Sequence, residues 1–226
     1  MKTKYMFILI LSFLFIQASL IADPIAVVIK ARGNVSLNDV KTGKTLTIKT
    51  GTKLYAGSKI TTKDKSFAAI KFIDDGSLVR IRPNSTCTVE GKREKSGFFK
   101  NLFLEVGTIF SQIVEQKGVF RITTPTSVAS VKGTKWWTKQ EFKGGTYYYG
   151  EGGVVEISNK KGWALLRKGE TGYVSSQNSR PIVRKTKAGE KPELEEDKVT
   201  IDELEFDFRN KEGDTKSLKF NVKKNK

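Results

Sequence analysis

Histidine is absent from this chain of 226 residues, and cysteine occurs once, at Cys87. The first absence removes the commonest general base and the commonest metal ligand together. A lone cysteine forms no intramolecular disulfide and no thiolate cluster, so a zinc site and a disulfide scaffold are both excluded. Cys87 lies in Ser85-Thr86-Cys87-Thr88-Val89, where a buried strand position is favoured over a reactive thiol. Long apolar runs are equally scarce, and beyond the first residues no segment is apolar enough to span a bilayer as a helix. Helical periodicity is missing between residues 25 and 175. No Gly-rich phosphate loop ending in Lys-Ser or Lys-Thr, no nucleophile elbow and no dinucleotide fingerprint occurs. Glu141, Glu151 and Glu156 have no spacing that demands convergence, and Asp74 and Asp75 are assigned to a turn. The reading is of a protein that is not an enzyme and that uses no metal or cofactor.

What is present begins with Lys2 and Lys4, followed by an apolar stretch over residues 5–11 that resumes over residues 13–16. A charged start and an apolar run of this length make residues 1–22 a signal peptide, with cleavage expected after Ala22. Leu20 stands where a small residue is preferred, so retention as an N-terminal membrane anchor is the alternative. Membrane contact is expected only through that segment, if it stays uncleaved. No cysteine follows the apolar run, which argues against a lipoprotein.

The formal charge is +17 and falls to +15 without Lys2 and Lys4. Residues 23–183 hold 27 basic against 13 acidic residues, whereas residues 184–226 are nearly balanced. Nucleic acid would be the natural partner of so basic a domain inside a cell. For an exported chain the expected partner is instead an envelope protein, a cell-wall component or another anionic polymer, with no nucleic acid.

Residues 25–175 consist of short β-branched and aromatic runs punctuated by Gly, Asn and Asp, the pattern of many strands joined by tight turns. The expected fold class is all-β, a multi-stranded β-sandwich or β-roll, with one helical turn allowed around residues 98–102. The sharpest local signal is a hairpin over residues 66–81. A two-residue type I′ turn at Asp75-Gly76 would pair Phe72 with Val79 and Ile70 with Ile81, and would set Lys71 opposite Arg80. The domain is expected to occupy residues 23–180. Residues 181–200, rich in Lys, Glu and Pro, read as a charged linker. Residues 201–226 read as a C-terminal β-hairpin and basic tail, with Leu204, Phe206, Phe208, Leu218, Phe220 and Val222 forming one apolar face.

Several motifs recur in a fixed order. Ala31-Arg32-Gly33-Asn34-Val35 opens the series, and residues 51–62 follow the pattern G-x-x-L-x-x-G-x-x-I-x-T. Asp75-Gly76-Ser77 and Pro83 come next, then T-P-x-x-x-A-x-V-x-G-T over residues 124–134. Glu151-Gly152-Gly153-Val154-Val155-Glu156-Ile157 and Gly169-Glu170 close it. In this order and over this span the sequence resembles the FecR family of bacterial cell-envelope sensory and interaction domains. Physically these positions serve the fold: Gly51, Gly57, Gly76 and Gly133 suit chain reversals, and Thr124-Pro125 an extended entry into a strand. The resemblance implies a domain that works outside the cytoplasm by contact, in the periplasm, the cell envelope or the secreted fraction. Regulatory members of the family are implied to carry a cytoplasmic segment acting on a sigma factor, and four residues before the apolar run leave no room for one. The expected function is a sensory or interaction module engaged in signal transduction. The alternatives are a carbohydrate or anionic-polymer binding module and a structural envelope scaffold.

Candidate partner-binding residues are Trp136, Trp137, Tyr147, Tyr148 and Tyr149, set among Lys132, Lys135, Lys139 and Lys143. Adjacent residues of a strand face opposite ways, so one indole is expected in the core and the other outside. An outward indole among lysines could stack on a sugar ring or anchor a partner. Cross-strand aromatic packing is the competing account of the same residues.

Overall fold

The computed structural model describes residues 23–40, 42–94, 97–113, 118–131 and 133–193, and the backbone of residues 203–209 and 215–221. The described residues are all-β and contain no helix, as the punctuated β-branched runs predict. They divide into two compact units, the first ending at Lys187 and the second starting at Ala188.

The first half of unit one comprises β1 (Ala26–Arg32), β2 (Val35–Asn38), β3 (Thr45–Thr47) and β4 (Lys53–Leu54), then β5 (Ser58–Thr62), β6 (Phe67–Phe72), β7 (Leu78–Ile81) and β8 (Ser85–Glu94). A long strand, β9 (Gly97–Gln112), follows. The second half contains β10 (Gly118–Thr123), β11 (Val128–Val131), β12 (Lys135–Gln140) and β13 (Thr146–Gly152). It finishes with β14 (Val154–Asn159), β15 (Gly162–Arg167), β16 (Glu170–Val174) and β17 (Ile182–Lys185).

Hydrogen bonding arranges these strands in two sheets that share β9. Sheet I runs β3-β2-β5-β8-β9-β10-β11-β14-β15. Sheet II runs β4-β1-β6-β7-β9-β12-β13-β16-β17. The early part of β9 pairs with β8 and, in parallel, with β10; its last six residues pair with β12, and the last four of these also with β7. The strand changes sheets at a bulge, where Thr86 faces Val106 but Cys87 faces Leu104. Gly107 follows at φ +104°, a conformation that side chains oppose. Residues 98–102, where a helical turn was allowed, are therefore strand: flanking strands on both sides satisfy their backbone groups, and that tertiary context overrides the local ambiguity.

The core lies between the sheets. Leu37, Ile60, Cys87, Leu102 and Phe120 come from sheet I, and Val28, Ile70, Val79, Trp136 and Tyr148 from sheet II. Period-two alternation puts them there; β5, for example, buries Ser58, Ile60 and Thr62 while Lys59 and Thr61 are half-buried.

The 66–81 hairpin forms in a different register from the one expected. Ile70 faces Val79 and Ala68 faces Ile81, so the partner shifts by two residues. Lys71 faces Leu78, and Arg80 faces Ala69. The connection is the wider loop 73–76, closed by Phe72 N–H to Ser77 O at 2.9 Å and Gly76 N–H to Phe72 O at 3.1 Å. A type I′ turn needs two residues with positive φ, and within this loop only Gly76 (φ +72°) has it. Because the shift is even, every side chain keeps its face, and the core assignment survives the register error.

The sheet also extends further along the chain than expected. β17 lies inside the segment read as linker and pairs with β16, Tyr173 against Ile182 and Glu170 against Lys185. In the second unit, β18 (Glu203–Arg209) and β19 (Thr215–Asn221) form the antiparallel hairpin read from the sequence. Its register aligns Leu204 with Phe220 and Phe206 with Leu218. Residues 1–22 and Val222 lie outside the described residues.

Candidate functional site

β12 and β13 carry most of the residues nominated from the sequence, and pairing places them on two different faces of sheet II. The inward face takes Trp136 and Tyr148, both fully buried. Trp136 meets Phe120 of sheet I edge-on, with centroids 6.1 Å apart, and its Nε1 donates to Thr138 Oγ1 at 3.0 Å. Tyr148 Oη shares a hydrogen bond of 2.9 Å with Ser127 Oγ. That bond belongs to a buried hydroxyl cluster built by the Thr-Pro motif. Thr124 Oγ1 lies 2.8 Å from Thr146 Oγ1, Thr126 Oγ1 lies 2.5 Å from the same atom, and Thr146 Oγ1 donates to Gln140 Oε1 at 2.5 Å. Those threonines join the β10–β11 turn of sheet I to β12 and β13 of sheet II, so they build the interior.

The outward face carries two rows of side chains set by the register. In one row Ala69, Arg80, Phe110, Trp137, Tyr149, Thr171 and Arg184 follow one another across six neighbouring pairings. The Arg80 guanidinium lies 5.6 Å from the Phe110 centroid, and Phe110 lies 4.8 Å from Trp137. Trp137 Nε1 donates to Glu151 Oε1 at 3.3 Å. In the next row Thr108, Lys139, Tyr147, Tyr173 and Ile182 are aligned. Tyr147 packs 4.5 Å from Tyr173 and stacks on Tyr149 at 6.4 Å, and Lys139 Nζ sits 5.7 Å from the Tyr147 centroid and 3.4 Å from Glu141.

The indoles do point to opposite faces, yet both are fully buried. The expectation that one would stand in solvent fails because neighbouring rings on the outer face, Phe110 among them, shut off Trp137. Tyr149 is buried in the same row. The accessible members of the face are the half-buried Tyr147, Tyr173 and Lys139, the exposed Lys135, and Ile182, which is 58% exposed. Phe142, 78% exposed in the β12–β13 turn, has Lys143 Nζ 5.5 Å from its ring. Lys132 lies outside the described residues. Tyr173, Ile182, Phe110 and Arg80 were not nominated from the sequence. Their signal is non-local, since each enters the face only through pairing with a strand distant in the chain.

A recess of about 320 Å³ opens elsewhere, lined by residues that include Asp23, Pro24, Ile25, Ile73, Asp74 and Phe98, and no nominated residue lines it. Among the described residues no three His, Cys, Asp or Glu gather as a metal cradle.

The family model described as FecR protein matches residues 58–155, from β5 into β14, and so covers β9, β12 and β13 but not β16 and β17. Residues 58–155 are thus similar to the FecR domain. The FecR match covers the motifs read at 75–77, 83 and 124–134 and ends within the one at 151–157. No curated protein matches the sequence. Two crystal structures of a candidate anti-sigma factor from Parabacteroides distasonis are similar to the chain at 17% identity, with TM-scores of 0.49 and 0.48. Each similarity covers 57% of this chain and 60% of the other, so the chain spans about three-fifths of the length of those structures.

Two interior groups titrate abnormally. Burial pushes the Cys87 thiol from 9.0 to about 12, with the charge of Glu105 adding to the effect. Burial also raises Tyr148 from 10.0 to about 12, against the opposing pull of its hydrogen bonds to Ser127, Thr124 and Thr146. Both are neutral when protonated, so above pH 9 the unfolded chain loses these protons before the folded one does. Their contribution to stability is complete below pH 9 and is lost as the pH rises through about 12. Denaturant midpoints measured upward from about pH 8 are expected to fall, and Cys87→Ala to make that decline shallower. A midpoint that stays level to pH 11 would contradict the burial of both groups.

Proposed function

We propose that this chain is a non-catalytic sensory or interaction module of the FecR type. It acts outside the cytoplasm and recognises a protein partner of the envelope through the outer face of sheet II. The observation that carries this reading is the row Lys139–Tyr147–Tyr173–Ile182, where accessible aromatic and aliphatic side chains stand beside cations on a rigid sheet. Tyrosine at the centre of a contact supplies large area for little lost side-chain freedom, and rings of this kind dominate binding energy at protein interfaces. The rings behind them, Phe110, Trp137 and Tyr149, fix the platform. The resemblance to envelope sensors and the signal-peptide pattern of residues 1–22 support the location.

An anionic polymer or glycan is the second reading, favoured by Arg80, Lys135 and Lys139 interleaved with the rings. The two are separated by capture from envelope extract on the chain beginning at Asp23, at low and moderate salt, with Tyr147→Ala and Tyr173→Ala alongside. One protein retained at moderate salt and weakened at least tenfold by either substitution, ~1.4 kcal/mol, is the expected result. Wall polymer alone, released by modest salt, would replace the protein-partner reading with the polymer one.

A further inference from the structure

Lys100 has a fully buried side chain within β9, a position at which lysine is found only when paired. From sheet I its side chain passes the ring of Phe72, with Nζ 5.8 Å from the centroid, to the β6–β7 turn of sheet II. There Asp74 Oδ2 lies 2.6 Å from Nζ, and Asp75 Oδ2 is in direct contact with it. The Asp75 side chain is as completely enclosed as that of Lys100. Its other oxygen, Oδ1, accepts the Ser77 backbone N–H at 2.9 Å. Asp74 is 24% exposed and lines the recess, so it communicates with solvent.

This arrangement contains more than an ion pair requires. An amine and a carboxyl group are held together in a water-poor setting, where proximity substitutes for a large part of the barrier to their reaction. A backbone N–H grips the oxygen on which negative charge would build during attack at Cγ. A second carboxylate is within reach of the same nitrogen to carry its protons. We propose that Lys100 Nζ and Asp75 Cγ condense to an intramolecular isopeptide bond, with Asp74 as the proton carrier.

The step balances without a co-reactant. The Lys100 ammonium gives one proton directly to Asp75 Oδ2, and a second passes to Asp74 only once the nitrogen has bonded to carbon. The freed lone pair adds to Asp75 Cγ while Ser77 N–H holds Oδ1. Asp74 passes its proton to Oδ2, the Cγ–Oδ2 bond breaks, and Oδ2 leaves as water through the recess. The product is a secondary amide that keeps one N–H, and Asp74 is again a carboxylate. The bond links residues 25 apart in sequence and ties one sheet to the other, a covalent clamp in a chain whose lone cysteine forms no disulfide within it.

The test is the intact mass of the purified folded chain under denaturing conditions, with its N-terminus determined from the same sample. The expected mass is lower than the sequence mass by one water. A tryptic digest is expected to yield a branched peptide joining residues 72–80 to the segment containing Lys100, with no cleavage after Lys100. Lys100→Arg restores the full mass, and Asp74→Asn leaves most of the chain unlinked. A full mass in the wild-type chain, with cooperative unfolding showing that it is folded, overturns the proposal. So does a loss of water that persists in Lys100→Arg with residues 72–80 recovered as a linear peptide, because that marks a succinimide at Asp75-Gly76.

Discussion

Trp136→Ala is expected to lower the unfolding free energy by about 3–5 kcal/mol, the range for truncating a large buried aromatic. The ring is fully enclosed, and it ends a chain of edge-to-face contacts that runs from Phe72 through Phe120. Phe72 lies in the first half of sheet II, Phe120 in sheet I and Trp136 in the second half of sheet II. The substitution therefore opens a cavity at the junction of both halves and both sheets, where no one element can collapse to fill it. It also strands Thr138 Oγ1, which accepts the indole N–H. Urea titration followed by far-UV circular dichroism measures the change, and Trp136→Phe should fall between wild type and alanine. A loss below about 1 kcal/mol would mean that the indole does not join the sheets. For the same reason, loss of binding in a Trp136 variant reports on folding, and the accessible Tyr147 and Tyr173 are the better probes of recognition.

Gly107→Ala is the second large effect. At φ +104° a side chain strains the backbone, and a Cβ here would collide with the Cα and Oγ of Ser85. Strain and overpacking each contribute about 1–3 kcal/mol, so a combined loss of roughly 2–5 kcal/mol is expected. The position is sensitive because β9 leaves one sheet for the other there, and Ser85 Oγ accepts the Thr108 N–H at 2.9 Å immediately after the glycine. Adding Ser85→Gly should recover only the crowding against the Ser85 side chain, because the contact with its Cα and the strain at φ both remain. Full recovery in the double variant would show that backbone strain contributes nothing. An unchanged midpoint in Gly107→Ala would mean that β9 turns elsewhere.

The rest of β9 shows how far local pattern reaches. Along the sequence, residues 103–106 and 108–112 are β-rich stretches separated by Gly107. In the fold they are largely one strand, and the glycine is its hinge between sheets rather than its end. The hairpin at 66–81 is similar: Asp75-Gly76 signals a turn correctly, but the loop widens because both aspartates engage Lys100. No local rule links those carboxylates to a lysine 25 residues away.

The sequence by itself determined the class of fold and the FecR resemblance. Alternation with period two, turn residues at the right intervals and the ordered motifs are properties of neighbouring positions, so they are legible along the chain. It also placed Cys87 inside and the C-terminal strands in a hairpin. Only the tertiary structure decided which aromatic residues are accessible. Alternation assigns Trp136 and Trp137 to opposite faces, but it does not say that Phe110, brought from another strand, covers the outer one. Tyr173 and Ile182 join Tyr147 through pairings between strands, and Lys100 meets its carboxylates across the two sheets. Registers and cross-sheet contacts depend on which distant segments lie side by side, and that is a property of the folded chain.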